Sequence, residues 1–299
     1  MCGRIRCTLT LEEVAKEAQM PSENFIDSEK YKPVENMGPG RFGPVLYRLN
    51  NDKRDLRAMR WGLIPSFTKP DAKPDHFIMF NARSESLSER PAFHRLLDKK
   101  RCILIANGYY EWQHVGKEKQ PYYVHRSSPL KFAGLYDEWT KENGEQIQSF
   151  TIITSKSTAK MSWLHDRMPV LLSEEHASDW LSKCAYADVK HVLGESTVQD
   201  LDVYPVDKKV GSTKHQEPGL ANRIHLTRSE NMTKFLLPNH QEIEDSENAS
   251  TKRKENDPKD TLTSQPKKIK SLRSNRLATR GRKPQQTLDN YFQKKEQSG

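Results

Sequence analysis

The second residue of the chain is the first with a chemistry of its own. The sequence begins Met-Cys-Gly, and an initiator methionine is commonly removed when the next residue is small. Removal would leave Cys2 with a free α-amine and a thiol on adjacent carbons. The reference pKa values of these groups, about 7.7–8.0 and about 8.5, leave a useful fraction of each nucleophilic near neutral pH. An internal cysteine offers only the thiol.

Two chemistries use such a terminus. In the first, the thiol attacks an amide carbonyl while the amine serves as base, as in N-terminal-nucleophile hydrolases. In the second, the amine condenses with an aldehyde to an imine and the thiol closes onto it, forming a five-membered thiazolidine, a step that gains from proximity. Judged by its position alone, Cys2 can equally be a small second residue with no chemical role. Gly3 and Arg4 favour a site slightly, through close backbone approach and an anion contact.

Four further stretches place polar side chains where core residues are expected: 60–65, 81–85, 108–112 and 165–170. In the third, Glu111 stands between aromatic residues, and a carboxyl group desolvated in this way suits general acid and base chemistry. The alternative is a glutamate on the solvent face of an edge strand. The fourth places His165 near Arg167, a residue type that commonly binds phosphate groups. His165 can be a proton shuttle or a structural histidine. No histidine spacing is typical of a metal site, so we expect no metal and no cofactor.

Helices and strands must position these groups. Thr10 and Glu13 form a capping box that predicts a first helix over 10–18. Two more helical patterns cover 90–98 and 173–183. Residues 32–44, with three prolines and three glycines, predict a shaped loop without a regular element.

Four short runs rich in Ile, Val, Tyr and Phe predict strands at 101–112, 122–125, 130–135 and 149–154. The strands follow one another without alternating strictly with helices. This order favours an α+β domain built on a largely antiparallel sheet or open β-barrel, with peripheral helices.

Charge and composition divide the 299-residue chain. Residues 252–283 carry twelve basic and three acidic residues, a surplus equal to the whole formal charge of +9. An acidic run precedes them, and residues 241–299 contain only two aromatic residues, so we expect a disordered tail. A polyanionic partner is indicated.

No apolar run is long enough for a membrane span or signal peptide. The four scattered cysteines predict neither a disulfide framework nor a zinc site, and they indicate a reducing compartment.

One octet in the tail resembles the PCNA-interacting peptide. Residues 285–292 fit its pattern with Gln285, Leu288, Tyr291 and Phe292. A short helical turn would place the last three on one side, at i, i+3 and i+4, to fill an apolar groove. Basic clusters in the preceding linker, 238–284, suggest nuclear import or DNA contact, and residues 293–299 are expected to be disordered.

The motifs of residues 1–237 resemble, in order, those of the SOS-response-associated peptidase family. They are Met-Cys-Gly-Arg at 1–4, Trp-Gly with Ile-Pro at 61–65, Asn-Ala-Arg at 81–83, Gly-Tyr-Tyr-Glu-Trp at 108–112 and His-Asp-Arg-Met-Pro at 165–169. The resemblance implies a domain that binds single-stranded DNA. It implies that mature Cys2 forms a thiazolidine crosslink with the ring-opened aldehyde of an abasic site and so shields the lesion at replication forks.

The resemblance also implies roles for individual residues. Asn81 would orient the Cys2 amine, Glu111 would handle protons during condensation, and His165 would assist imine formation and crosslink reversal. The expected DNA contacts are Arg4, Arg83, Arg167 and Thr154 on phosphates, Trp112 and Phe67 on bases, and Pro39 and Gly40 lining the pocket. Phe67 stands where the family pattern has tryptophan, and Ser212 where it has asparagine.

The family further implies peptidase activity on the protein itself and a lyase-type activity. A monomer in the nucleus, associated with chromatin, is the expected state. Two alternatives remain open at the level of sequence. The first is an N-terminal-cysteine amidotransferase or hydrolase, whose chains also begin Met-Cys-Gly, and the second is a non-catalytic DNA-binding protein recruited by PCNA.

Overall fold

The structure is a computed structural model that describes residues 2–49, 53–194, 198 and 200–226. The predicted linker 238–284, the PCNA-type peptide 285–292 and the end 293–299 lie outside the described residues, as does the predicted domain boundary at 237. Those assignments therefore stay predictions.

Within the described ranges the chain forms eleven strands and four α-helices. The strands are β1 Arg4–Cys7, β2 Phe25–Ile26, β3 Val34–Met37, β4 Phe42–Arg48, β5 Arg54–Trp61, β6 Asn81–Arg83, β7 Arg101–Val115, β8 Glu118–Thr140, β9 Gln146–Lys156, β10 Arg167–Pro169 and β11 Asp202–Pro205. The helices are α1 Leu11–Ala18, α2 Pro91–His94, α3 Glu174–Trp180 and α4 Tyr186–Val189. The predicted α+β class is confirmed.

All strands belong to one sheet that closes on itself. Its order is β11-β8-β9-β5-β4-β7-β1-β3, and β8 also pairs with β7, so that β8, β9, β5, β4 and β7 form a closed ring. Most pairings are antiparallel, as predicted, while β5 and β6 both run parallel to β9. The predicted strands 122–125 and 130–135 are parts of the single long strand β8.

Helix α1 begins as its sequence predicts. Thr10 accepts from the backbone N–H of Glu13, and the Glu13 carboxylate accepts from the backbone N–H of Thr10. The predicted helix 173–183 is shorter, because the buried guanidinium of Arg101 binds the carbonyl oxygens of Trp180, Ser182 and Cys184. These bonds satisfy carbonyl groups that a continuing helix would have used.

The predicted helix 90–98 reaches only from Pro91 to His94 and continues as turns. Its N-cap, Arg90, makes no side-chain capping bond. The Leu97 carbonyl, near its predicted end, accepts from Arg101. A segment this short has no helical stability of its own and follows its tertiary contacts.

The predicted loop at 32–44 was wrong in part. Val34–Met37 forms β3 and pairs with β1, while Phe42 already belongs to β4. Only the four residues between these strands make a turn, so proline and glycine here mark a turn between two strands that pair with different neighbours instead of excluding strands. Asn36 shows why pairing wins, because its buried side chain donates to the carbonyl oxygens of Val210 and Ser212 and fixes the strand against that segment.

A glycine lets β7 approach β8 where the register shifts. The bulge lies between Ala106 and Gly108, and Gly108 pairs with His125. A Cβ atom on Gly108 would lie 2.5 Å from the carbonyl oxygen of Val124 and 2.6 Å from the hydroxyl oxygen of Tyr123. Only glycine fits this close approach, and the bulge precedes Glu111 by three residues.

All four cysteines are free thiols, three of them buried and Cys184 exposed. No helix in the described part of the chain has the length and apolar character needed to cross a membrane.

We expect Gly108→Ala to lower the free energy of unfolding by about 1–3 kcal/mol, the range for overpacking a tight site. Gly211→Ala is the matched control, because a Cβ atom there meets nothing within 4 Å. It should leave stability unchanged or raise it slightly. Urea denaturation followed by tryptophan fluorescence measures both, and an equal effect of the two variants would contradict the close-approach account.

Candidate active site

Cys2 lies inside the core, two residues before the start of β1. Its side chain is fully buried, and β1 continues between β3 and β7. The Asn81 amide, on β6, donates from Nδ2 to the carbonyl oxygen of Cys2 at 2.6 Å. The second residue of the chain is thereby fixed by a partner 79 residues away.

Glu111 lies beside Cys2 on the inner side of β7. Its side chain is 3% exposed, and Oε1 accepts from the backbone N–H of Trp112 at 3.2 Å. The alternative of a solvent-facing glutamate is therefore wrong. Burial, and after it the charge of Glu111, raises the pKa of the Cys2 thiol well above its usual range. The backbone N–H of Arg4 partly opposes this by binding the sulfur.

Asn81 has an acceptor atom left for a further donor. Its Oδ1 is buried and has no hydrogen-bond partner among the described residues. A buried amide oxygen without a partner costs about 1–3 kcal/mol. The atom is therefore suited to accept from an N–H group next to the Cys2 carbonyl.

Three of the predicted DNA contacts gather around β9. Thr154 pairs with Arg83 of β6 on one side and with Pro169 of β10 on the other. The Arg167 guanidinium donates to the carbonyl oxygen of Thr154 at 2.7 Å and to its hydroxyl group at 3.3 Å. It also forms a bidentate ion pair with Glu85, a residue that the sequence did not single out for this position.

His165 belongs to the same group. Its Nδ1 accepts from the backbone N–H of Arg167 at 3.0 Å. The Asp166 carboxylate also lies 2.7 Å from Nδ1. An unprotonated Nδ1 accepts from the backbone N–H of Arg167, whereas a protonated Nδ1 donates to Asp166, so the two contacts correspond to two protonation states of the ring.

The turn with Pro39 and Gly40 is held by a buried tryptophan. The backbone N–H of Gly40, at a φ of 91°, donates to the carbonyl oxygen of Trp61 at 2.7 Å. The indole N–H of Trp61 donates to the carbonyl oxygen of Phe80, next to Asn81. Trp61 thus connects the turn to β6. The Arg4 guanidinium lies beside Gly38, the residue before Pro39.

Trp112 and Phe67 occupy other surfaces. Trp112 is half-buried against a small cluster on the opposite face of β7 from Glu111, formed by Tyr110, Tyr123, Val206 and Val210. Phe67 is 60% exposed, and the Arg95 guanidinium lies 5.1 Å from its ring centroid. Neither ring contacts Cys2, so any base that stacks on them must flank the pocket.

Two features of the site were missed from the sequence. Tyr109, inside the Gly-Tyr-Tyr-Glu-Trp motif, shares the inner face of β7 with Glu111, and its hydroxyl group is buried without a hydrogen-bond partner among the described residues. Burial and the neighbouring charges of Cys2 and Glu111 raise the Tyr109 pKa well above its usual range. The alternation of side chains along a strand was the signal that could have identified it.

The second missed feature supports the loop that carries Phe67. The buried Asp137 accepts from the backbone N–H of Ser66 at 2.6 Å and forms an ion pair with Arg95. Arg95 also donates to the Ser66 hydroxyl group at 3.0 Å. Nothing in the sequence near Phe67 indicated these partners, which lie 29 and 71 residues away from Ser66.

Metal ions in proteins are bound by several ligating side chains that lie close together. In the part of the chain that the structure covers, no three His, Cys, Asp or Glu side chains come together as a metal ion would require.

Comparison with known proteins agrees with the motifs. Residues 1–213 match the family model described as SOS response associated peptidase (SRAP). A protein of Xenopus tropicalis named abasic site processing protein HMCES is 34% identical over 267 residues, covering 76% of this chain and 80% of that protein. Abasic site processing protein YoqW of Bacillus subtilis (strain 168) is 36% identical over 226 residues, covering 74% and 98%.

Two solved structures share the fold. A protein from Bacteroides thetaiotaomicron has a TM-score of 0.63 at 23% identity and covers 75% of this chain and 99% of its own. A phage-related protein from Bordetella bronchiseptica has a TM-score of 0.56 at 29% identity and covers 73% and 100%.

The electrostatic contact between Cys2 and Glu111 predicts a change in thiol reactivity. Glu111→Gln removes a negative charge that opposes the thiolate, so the pKa of Cys2 should fall and iodoacetamide should alkylate Cys2 faster at pH 8. Mass spectrometry of the N-terminal peptide measures the rate. Glu23→Gln, an exposed site with the same charge change, should leave the rate unaltered. No acceleration in Glu111→Gln would show that the carboxylate does not act on the sulfur.

Proposed function

Because the chain belongs to the SOS response associated peptidase family, we propose that it processes abasic sites in single-stranded DNA by crosslinking itself to them through Cys2. Its relatives named abasic site processing proteins support the substrate class. The thiazolidine chemistry is supported by the position of Cys2 and by its neighbours.

The hydrogen bond from Asn81 to the Cys2 carbonyl carries the proposal. It holds Cys2, which lies beside a buried carboxylate, and the Oδ1 atom of the same amide is buried without a hydrogen-bond partner among the described residues, which supports a role for Oδ1 as acceptor for the α-amine after Met1 is removed. An amine that donates to Oδ1 keeps its lone pair available for an aldehyde. A cysteine that merely packed in the core would need neither partner.

The reaction proceeds in two steps. The Cys2 nitrogen attacks the aldehyde carbon C1′ of the opened sugar, and loss of one water molecule leaves an imine. The thiol sulfur then adds to the same carbon while the thiol proton moves to the nitrogen, so that the product contains both nucleophiles in a five-membered ring. Glu111 lies next to Cys2 and is the group that accepts and returns protons in both steps.

A raised thiol pKa suits this order of events. Burial and Glu111 keep the Cys2 sulfur protonated near neutral pH. The amine is then the first nucleophile, and the thiol reacts only once the imine carbon lies within reach, where ring closure is strongly favoured. A reactive free thiolate would instead be open to oxidation and to unrelated electrophiles.

The DNA strand passes along β9 and the Pro39–Gly40 turn. Arg83 and Arg167 bind the phosphate groups that flank the lesion, and Arg4 binds beside the turn. Thr154, expected as a third phosphate contact, is fully buried and instead holds the Arg167 guanidinium. Phe67 and Trp112 stack on neighbouring bases, contacts worth about 1–3 kcal/mol each. Phosphate contacts make the affinity salt-dependent, while the aldehyde provides lesion specificity.

His165 assists imine formation and reversal of the crosslink, because its ring lies beside Arg167 and Asp166 and can exchange a proton there. Peptidase activity toward the protein's own Met1 or toward the crosslinked chain, and a lyase-type activity, belong to the same proposal. The family name is what points to the peptidase.

The tail delivers the domain to its substrate. Residues 285–292 bind PCNA and the basic linker directs the protein to the nucleus, where it acts as a monomer on chromatin at replication forks. The order of motifs along the sequence supports this part of the proposal.

Incubation with single-stranded DNA that carries one abasic site tests the chemistry. We expect an adduct stable to heat and SDS with the wild-type protein, and none with Cys2→Ala, because that variant keeps the amine but has no thiol to close the ring. Cys184→Ala is the control, since it removes an exposed thiol and should crosslink like the wild type.

Correctly processed wild-type protein that gives no adduct would contradict the proposal. Glutamine hydrolysis without an adduct would instead favour the amidotransferase, and reversible DNA binding alone would favour the non-catalytic binder.

The tail predicts a separable activity. Replacing both Tyr291 and Phe292 by alanine removes the aromatic pair that fills the groove, so we expect PCNA binding to fall by at least about 100-fold in calorimetry, in line with the loss of two buried aromatic anchors. Crosslinking to abasic DNA in the absence of PCNA should not change. Parallel loss of both activities would show that the tail is not a separate module.

A further inference from the structure

The phosphate-binding edge of Arg167 is already occupied in the free protein. Nη1 and Nη2 of Arg167 donate to Oε1 and Oε2 of Glu85 at 2.7 and 3.0 Å. A bidentate pair of this kind uses the same two donors that a phosphate group would use. Strand binding at Arg167 and the bond to Glu85 therefore compete for the same atoms.

The Arg167 guanidinium cannot rotate to present its Nε and Nη2 donors to a phosphate group. Nε and Nη2 donate to Thr154, whose side chain is fully buried, and the Arg167 side chain is only 12% exposed. The guanidinium is thereby fixed with its fork directed at Glu85. A phosphate group can reach two donors of Arg167 only when Glu85 leaves.

Glu85 is free to leave. It lies in the single 3₁₀ turn Ser84–Ser86 after β6, and its side chain is 55% exposed. Apart from Arg167, its carboxylate accepts from the neighbouring Ser84 hydroxyl group at 3.3 Å and from its own backbone N–H. Its slight burial raises its pKa, but the hydrogen bond from Arg167, the hydrogen bond from its own backbone N–H, the charge of Arg167 and the hydrogen bond from Ser84 together outweigh this and hold the pKa below the ordinary value.

We propose that Glu85 is a specificity-determining residue that imitates a DNA phosphate, occupying the Arg167 fork until a strand displaces it. This inference rests on the proposed function, because it takes Arg167 as a phosphate contact. Because every strand must displace Glu85 from Arg167, noncovalent binding is weakened equally for damaged and undamaged strands. Undamaged single strands are then released quickly, whereas a strand with an abasic site is retained by its reaction with Cys2.

The competing role for Glu85 is to position Arg167 for DNA, and the two roles predict opposite results. In Glu85→Gln, a competitor is removed but the shape of the side chain is kept. We expect the variant to bind undamaged single-stranded DNA about three- to tenfold more tightly at low salt. The slope of log K against log salt should differ from that of the wild type by less than about 0.7, the value for one phosphate contact on a single strand, because Arg167 reaches the phosphate in both proteins once Glu85 is displaced.

Fluorescence anisotropy with a labelled undamaged oligonucleotide, measured over a salt series, provides both numbers. Glu89→Gln is the matched control, because it makes the same charge change at an exposed site four residues further on and should change the affinity much less. In an Arg167→Gln background, Glu85→Gln should have no effect, since the contested donors are gone.

Equal or weaker binding by Glu85→Gln would overturn the inference and assign Glu85 a positioning role. An equal gain in Glu89→Gln would overturn it too, because the effect would then be one of net charge. Wild-type crosslinking to abasic DNA is measured on the same samples. Its absence contradicts the proposed function, whereas its presence with no effect at Glu85 contradicts only this inference.

Discussion

The pairing of β1 on both of its edges is the constraint on which the site depends. Chain termini usually fray unless they are tied down, yet here the first strand lies between β3 and β7, and Cys2, two residues before it, is fully buried. The ladder bonds of two neighbours fix the backbone, and the Asn81 amide fixes the Cys2 carbonyl. A reactive terminus thus gains the rigidity that internal active-site residues have by default.

The same constraint explains why motifs so far apart in sequence belong together. Glu111 reaches Cys2 because β7 pairs with β1, and the bulge at Gly108 sets the register just before it. Asn81 reaches Cys2 because β6 pairs with β9, whose Thr154 in turn holds Arg167. One strand network therefore joins the buried residues around Cys2 to Arg83 and Arg167, the proposed phosphate contacts.

Local sequence predicted the features that local interactions decide. The capping box of Thr10 and Glu13 appears as expected, and the apolar runs became strands within the α+β sheet. The loop prediction for 32–44 was wrong in part because it rested on the proline and glycine content of the segment. The strand there forms by pairing with the distant β1, which local composition does not indicate. The predicted ends of two helices were wrong for a similar reason. Arg101, which belongs to neither helix, binds carbonyl groups near both ends. For the site, motif order identified Cys2, Asn81 and Glu111, whereas the Arg167–Glu85 pair joins residues 82 positions apart and left no mark in either motif.

The central claim is that both nucleophiles of Cys2 end in one ring with the abasic sugar, and peptide mapping of the adduct tests it most directly. The adduct formed with abasic single-stranded DNA is digested with nuclease, denatured, treated with iodoacetamide and analysed by tandem mass spectrometry. The account predicts a peptide that begins at Cys2, is heavier by the sugar remnant less one water molecule, and resists alkylation at its sulfur. Attachment at any other residue, or a Cys2 adduct whose thiol is still alkylated, would contradict the account.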